Sequence, residues 1–142
     1  MCIRDREEGF DGACSSASAT DLRTLGDAAR LGGSPSRAVQ AFTALRARFP
    51  GSPEAASAAF LLGRIAQDQR KDPAGAASWF TRYLAEKPSG ELAEEAAGRL
   101  VEAEDQRGDL ASARAAAERY LKAHPAGAHS TYAKTVLARP VP

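Results

Sequence analysis

Three prolines set the plan of this chain. Pro50, Pro88 and Pro125 lie 38 and 37 residues apart, and each closes a stretch that reads as helix, because the residue before a proline avoids the helical region. Counting back twelve residues from each proline gives Ala38, Ala76 and Ala113. Counting back eight gives Phe42, Phe80 and Ala117, and counting back five gives Leu45, Tyr83 and Tyr120. Offsets of four and seven from each alanine place a set on one helical face. A small residue where backbones touch, with larger apolar residues beside it, is the pattern of a helix packed closely on another. A chain with this period folds as stacked units that bury a shared core between neighbours.

Each of these helices has a forerunner. Asp21 to Leu31, Pro53 to Asp68 and Glu91 to Arg107 read as helical, and carry Leu25-Gly26, Leu62-Gly63 and Ala97-Gly98 in comparable places. A glycine inside a helix costs about 1 kcal/mol against alanine, so its recurrence points to close approach of the paired helix. Gly32-Gly33-Ser34-Pro35, Lys71-Asp72-Pro73 and Gly108-Asp109 separate the two helices of each unit. Pro35 and Pro73 suit the first turn of a helix, with Ser34 and Asp72 as N-caps before them. Ser52, followed by Pro53 and Glu54, marks another start. A last amphipathic piece, Ala128 to Ala138, presents Tyr132, Val136 and Leu137 on one edge and Lys134 and Arg139 on the other. An end helix with a polar outer face is what a stacked array requires. The expectation is an all-α solenoid of about three antiparallel helix hairpins plus a C-terminal capping helix.

Composition agrees with closely packed helices. Apolar residues make up 44% and charged residues 26%, the balance of a globular chain, while only 6% are aromatic; such a core leans on alanine, which lets backbones approach. The 19 basic and 18 acidic residues are interspersed, so the one-sided cationic surface that displaces counterions from nucleic acid is lacking. No apolar run reaches the ~20 residues that span a bilayer. Residues 1–19 read as a disordered lead-in, small, polar and without period from Glu7 to Ala19. Residues 1–6 resemble translated sequencing-adapter sequence. The repeat domain is expected over 20–139, with 140–142 as a tail. Cys2 and Cys14 both fall in the lead-in, and Gly12-Ala13-Cys14-Ser15 lacks the preceding apolar stretch of a lipoprotein cleavage site, leaving Cys14 as a thiol in a flexible segment.

The pattern Ala-x3-large-x2-apolar-x4-Pro, preceded by a helix carrying Leu-Gly, resembles the tetratricopeptide repeat. Ala38/Phe42/Leu45/Pro50, Ala76/Phe80/Tyr83/Pro88 and Ala113/Ala117/Tyr120/Pro125 occupy the matching positions, and Leu25-Gly26 and Leu62-Gly63 match the first-helix signature. The resemblance covers about Thr20 to Ala138. It departs in a spacing three or four residues above the usual ~34, in Ala117 for a large residue, and in Ala97-Gly98 for Leu-Gly. The longer units, joined by Phe49 to Ala55, are similar to the bacterial cell-envelope branch, which includes the Tol–Pal-associated repeat protein and the lipoprotein of the outer-membrane barrel-assembly machinery. Arginine outnumbers lysine fifteen to four, as in GC-rich bacterial genomes. The resemblance implies a right-handed solenoid, a periplasmic or envelope location, and a protein or peptide partner held in a concave groove lined by the first helices.

Catalytic chemistry is not expected. An enzyme needs a nucleophile with a base, paired carboxylates in a pocket, or a metal set. His124 and His129 flank the turn at Pro125 and read as exposed turn residues, too few for a metal site. Glu94, Glu95, Glu102 and Glu104 alternate with Arg99 and Arg107 as surface ion pairs would. No phosphate-binding glycine loop occurs, and no cofactor is implied. The partner-binding candidates, by matched position, are Arg23, Asp27 and Arg30 on the first helix, Phe60, Arg64 and Gln67 on the second, and Glu95, Arg99 and Glu102 on the third. Arg64 and Arg99 each follow a glycine, so two guanidinium forks could grip one carboxylate or an acidic peptide; the competing reading pairs both with neighbouring acids. Trp79 and Tyr83 read as packing between units. The protein is expected as a monomer or weakly self-associating scaffold, with a structural spacer using the end helix's apolar edge as the alternative.

Overall fold

The computed structural model describes residues 3–141, with side chains from residue 9 onward; Met1, Cys2 and Pro142 lie outside the described residues. Eight α-helices follow one another, and the described residues contain no strand. They are α1 (Ile3–Ser16), α2 (Ala19–Leu31), α3 (Pro35–Arg48), α4 (Pro53–Arg64), α5 (Pro73–Glu86), α6 (Ala93–Gln106), α7 (Leu110–Ala123) and α8 (Ser130–Ala138), with a π-helical turn over Ile65–Gln69 that prolongs α4. Three hairpins, α2–α3, α4–α5 and α6–α7, stack in order, and α8 packs on α7 and α6. The fold is the helical-hairpin solenoid expected from the repeat.

The repeated offsets form the core. Ala38, Phe42 and Leu45 on α3, Ala76, Phe80 and Tyr83 on α5, and Ala113, Ala117 and Tyr120 on α7 are all buried. Gly26 and Gly63 explain themselves: a Cβ there would stand 2.5 Å from the Phe42 ring and 2.6 Å from the Phe80 ring, both on the paired helix. Gly98 behaves differently. Its missing Cβ makes room for the imidazole of His129 at the start of α8. Val101, also fully buried, precedes Ala117 by the sixteen residues that separate Gly26 from Phe42. At this spacing the third hairpin has a large buried residue on its first helix and a small one on its second, where the first hairpin has the reverse.

Spacing also explains the π turn. Gly63 precedes Phe80 by seventeen residues, one more than in the first hairpin. The wider turn takes up the extra residue, with the Arg70 N–H donating to the Ile65 carbonyl at 3.0 Å and the Asp72 N–H to the Ala66 carbonyl at 2.7 Å, the i→i+5 geometry of a π-bulge and one residue beyond it. Gly33, Lys71 and Gly108, each before the N-cap of a second helix, all take positive φ, at 78°, 53° and 82°.

Helix starts are capped in two ways. Ser52 accepts from Ala55 N–H at 3.1 Å, Asp72 from Gly75 N–H at 3.0 Å, Asp109 from Ser112 N–H at 3.0 Å and Ser18 from Asp21 N–H at 3.1 Å. Ser34 makes no such side-chain bond, against expectation. At α6 and α8 the cap comes from the preceding unit: Tyr83 Oη accepts from Leu92 N–H at 3.1 Å, and Tyr120 Oη accepts from His129 N–H at 2.9 Å. Gly90 and Gly127, each seven residues after the tyrosine, leave space for that hydroxyl.

Within the stretch read as a lead-in, Ile3–Ser16 forms α1, which contacts α3. Phe10 lies under the Arg37 guanidinium, 5.4 Å from ring centroid to Cζ. Cys14 is 5% exposed, and Arg48 donates to its carbonyl at 2.8 Å. Burial pushes the Cys14 thiol pKa up, the Asp11 charge adds to this, and Arg48 opposes it; the group is a free but buried thiol packed in a helix, where a flexible segment was expected. Phe10, Cys14 and Ala17 repeat the four-and-seven offsets of the core helices, a stripe hidden by glycine and serine around it.

The end helix turns its apolar edge inward. Val136 is fully buried, and Tyr132 and Leu137 pack against the core. The edge expected to serve self-association is thus spent on α8's own docking.

Candidate functional site

The first helices α2, α4 and α6 carry two groups of ion pairs. On α2, Asp27 sits between Arg23, 3.6 Å away, and Arg30, 3.3 Å away. The π turn then brings Asp68 to the border of α4 and α6, where both arginines that follow the glycines converge on it. Arg64 Nε stands 3.7 Å from its carboxylate and Arg99 Nη1 3.3 Å. Arg99 also meets Glu95 at 2.8 Å and Gln67 Oε1 at 2.9 Å, while Gln67 Nε2 donates to the Arg99 carbonyl at 3.3 Å. Burial works to lower the Arg99 pKa, but Glu95 and Asp68 outweigh it and hold it above the ordinary value.

Seven of the nine expected residues therefore lie in two clusters, Arg23–Asp27–Arg30 and Arg64–Gln67–Arg99–Glu95. Arg64 and Arg99 do reach one carboxylate, but it is the chain's own Asp68. Gln67 is buried and serves as a brace between units. Phe60 leaves the set: it is 3% exposed, its ring 5.6 Å from Phe80 and 5.9 Å from Tyr83, because α4 lies between two hairpins and buries nearly its whole circumference. Glu102 faces His129, 3.7 Å from Nε2. That histidine is not an exposed turn residue: its ring seats on Gly98, stands 5.8 Å edge-on to Tyr120, and its Nδ1 is buried with no hydrogen-bond partner among the described residues. His124 is half-buried, 5.3 Å from Tyr120.

Asp68 was missed by sequence reasoning because matched positions count regular α-helical turns. The extra residue of the π turn carries Asp68 toward α6. The signal that could have found it is the seventeen-residue spacing from Gly63 to Phe80.

A shallow cavity of about 220 Å³ lies beside this network, walled by Arg30, Leu31, Arg64 and Asp68. Leu31 is 76% exposed there. The described helices include none long and apolar enough to cross a membrane.

Stacked hairpins with a charged first-helix face define a helical-repeat protein. Residues 23–91 match a family model described as Tetratricopeptide repeat, a span that runs from within α2 to the end of α5 and just beyond. The first two hairpins are thus tetratricopeptide-like, and repeats of this kind generally mediate protein–protein interaction as non-catalytic scaffolds. No curated protein matches the chain.

Proposed function

We propose that this protein is a non-catalytic scaffold that receives an acidic peptide or protein segment on the face made by α2, α4 and α6. The observation that carries this reading is the shared carboxylate: Asp68, 46% exposed, bridges Arg64 and Arg99 across two units. Arg64 contributes only a long contact through Nε, and its side chain is 36% exposed, which leaves the guanidinium accessible to a partner. A partner carboxylate can share or replace Asp68 at little cost, because exposed pairs of this sort contribute only about 0–1 kcal/mol. The further placement in a bacterial envelope or signalling assembly is supported by the linker Phe49 to Ala55 and the long repeat period.

The test is affinity capture from the source lysate with wild type and Arg64→Ala/Arg99→Ala, both checked for an intact thermal melt. A prey lost only in the double variant supports the face. A prey held equally by both moves the site elsewhere. A protein that captures nothing and sediments as a concentration-dependent dimer is instead a structural spacer.

A further inference from the structure

The two intervals between second helices are built from matched positions but filled differently. Between α3 and α5 the chain places Arg46, Trp79 and Glu86. Arg46 donates to both Glu86 oxygens, at 2.7 and 3.1 Å, and to the Ala55 carbonyl at 2.7 Å. Its guanidinium lies over the Trp79 ring, 5.4 Å from the centroid. One arginine thus crosses the interval, with an indole beneath it and a carboxylate at its far end.

The repeat offsets carry these three positions to Leu84, Ala116 and Ala123 in the interval between α5 and α7. All three line a cavity of about 310 Å³, together with Pro88, Ala97 and Leu100. The cavity is open and apolar, with Arg119 and His124 at its edge and no carboxylate among its lining residues. The first interval also holds a cavity of about 310 Å³, but its wall includes Arg46 and Glu86, already paired with each other.

We infer that the slot between α5 and α7 is a second docking surface, which takes one aromatic side chain of a partner segment with a carboxylate beside it. The aromatic ring occupies over Ala116 the place that the chain itself gives to Trp79. A ring seated in a preformed apolar slot is the usual anchor of a small interface. The adjoining carboxylate meets Arg119, one turn beyond Ala116, in a charge-assisted contact. This surface is separate from the Asp68 face, and Arg64→Ala/Arg99→Ala should leave it unchanged.

The probe is the peptide acetyl-Glu-Trp-Glu-amide, titrated into the ¹⁵N-labelled full chain. The expected result is a saturable set of amide shifts at Leu84, Ala97, Ala116 and Ala123, at least tenfold weaker with Glu-Ala-Glu or Lys-Trp-Lys. Rebuilding the first interval's bridge as Leu84→Arg/Ala116→Trp/Ala123→Glu should abolish the shifts while keeping the melting temperature at or above wild type. The exposed single change Ala123→Glu, which needs no repacking, should weaken binding at least fivefold. Shifts that are absent, fall elsewhere, or survive both variants overturn the assignment. A concentration-dependent dimer removed by the same variants also overturns it, in favour of a second copy in the slot.

Discussion

Lys71 is a residue in a conformation its type disfavours. Its φ of 53° falls where the first and third hairpins use Gly33 and Gly108, and a left-handed residue with a Cβ costs about 1–2 kcal/mol. Lys71→Gly should raise stability by roughly 1 kcal/mol, less the entropy that glycine adds to the unfolded chain, read as a higher denaturant midpoint at unchanged slope. Gly26 and Gly63 predict the opposite sign. Alanine gains about 1 kcal/mol in helix propensity, but its Cβ would press on the fully buried Phe42 or Phe80 ring, and such overpacking costs about 1–3 kcal/mol. Gly26→Ala should therefore lower stability, and Phe42→Leu in the same chain should recover part of the loss; additive effects in that double-mutant cycle would refute the contact. The glycines were legible as a pattern, and their reason was legible for two of three. Gly98 was not, because its partner is His129, thirty-one residues on and outside any repeat position of the second helices. The tyrosine caps were hidden for a related cause: position alone marks Tyr83 and Tyr120 as core, and nothing in it says that the hydroxyl emerges at the next unit's first N–H.

At the scale of the element, α8 is held by one polar triad as well as by its apolar edge. Tyr132 Oη and Arg139 both donate to the Asp105 carboxylate of α6. The Arg139 hydrogen bond, with help from Tyr132, holds Asp105 below the usual carboxylate range. Burial and the Asp105 carboxylate push the Tyr132 phenol up to about 12. The two ends of the pH scale then act on α8 in opposite chemical senses. A carboxyl with a lowered folded pKa stabilises fully above its unfolded value, about 4, and loses that contribution as pH falls through the folded value. A phenol with a raised folded pKa stabilises fully below its unfolded value, about 10, and loses that contribution as pH rises through 12. Amides of α8 should exchange faster below pH 4 and above pH 10 than those of α4, and Asp105→Asn should remove the acid limb. Ultraviolet titration should find Tyr132 ionising near 12. A Tyr132 that titrates at 10 with α8 still protected would refute the triad. The α1 element teaches the converse lesson about legibility. Its stripe of Phe10, Cys14 and Ala17 has the right spacing, yet glycine and serine lower its propensity enough that only the α3 surface beneath it makes a helix of it.

A solenoid is held together between neighbours only, so its cooperativity depends on how strongly each interval couples two units. The first interval is bridged by Arg46, whose side chain is 16% exposed, and which binds Glu86, Trp79 and the Ala55 carbonyl together. Its hydrogen bond holds the Glu86 carboxyl below its ordinary range. The second interval has no equivalent bridge and is joined through the Tyr83 cap on Leu92 and through Arg99 on the π turn. Removing Arg46 should therefore lower the coupling of the first hairpin to the rest more than it lowers the stability of either part. The chain carries its own reporter, since its single tryptophan, Trp79, lies under that guanidinium. In the wild type, tryptophan fluorescence and helical circular dichroism should unfold together in denaturant, as a two-state domain does. In Arg46→Ala the total loss should be about 1–2 kcal/mol, because the Ala55 carbonyl of a buried residue loses its donor while the exposed Glu86 carboxylate returns to water, and the fluorescence transition should part from the dichroism transition. Coincident transitions with a small shift would mean that the apolar contact of α3 with α4 carries the coupling alone, and that the arginine merely covers the joint.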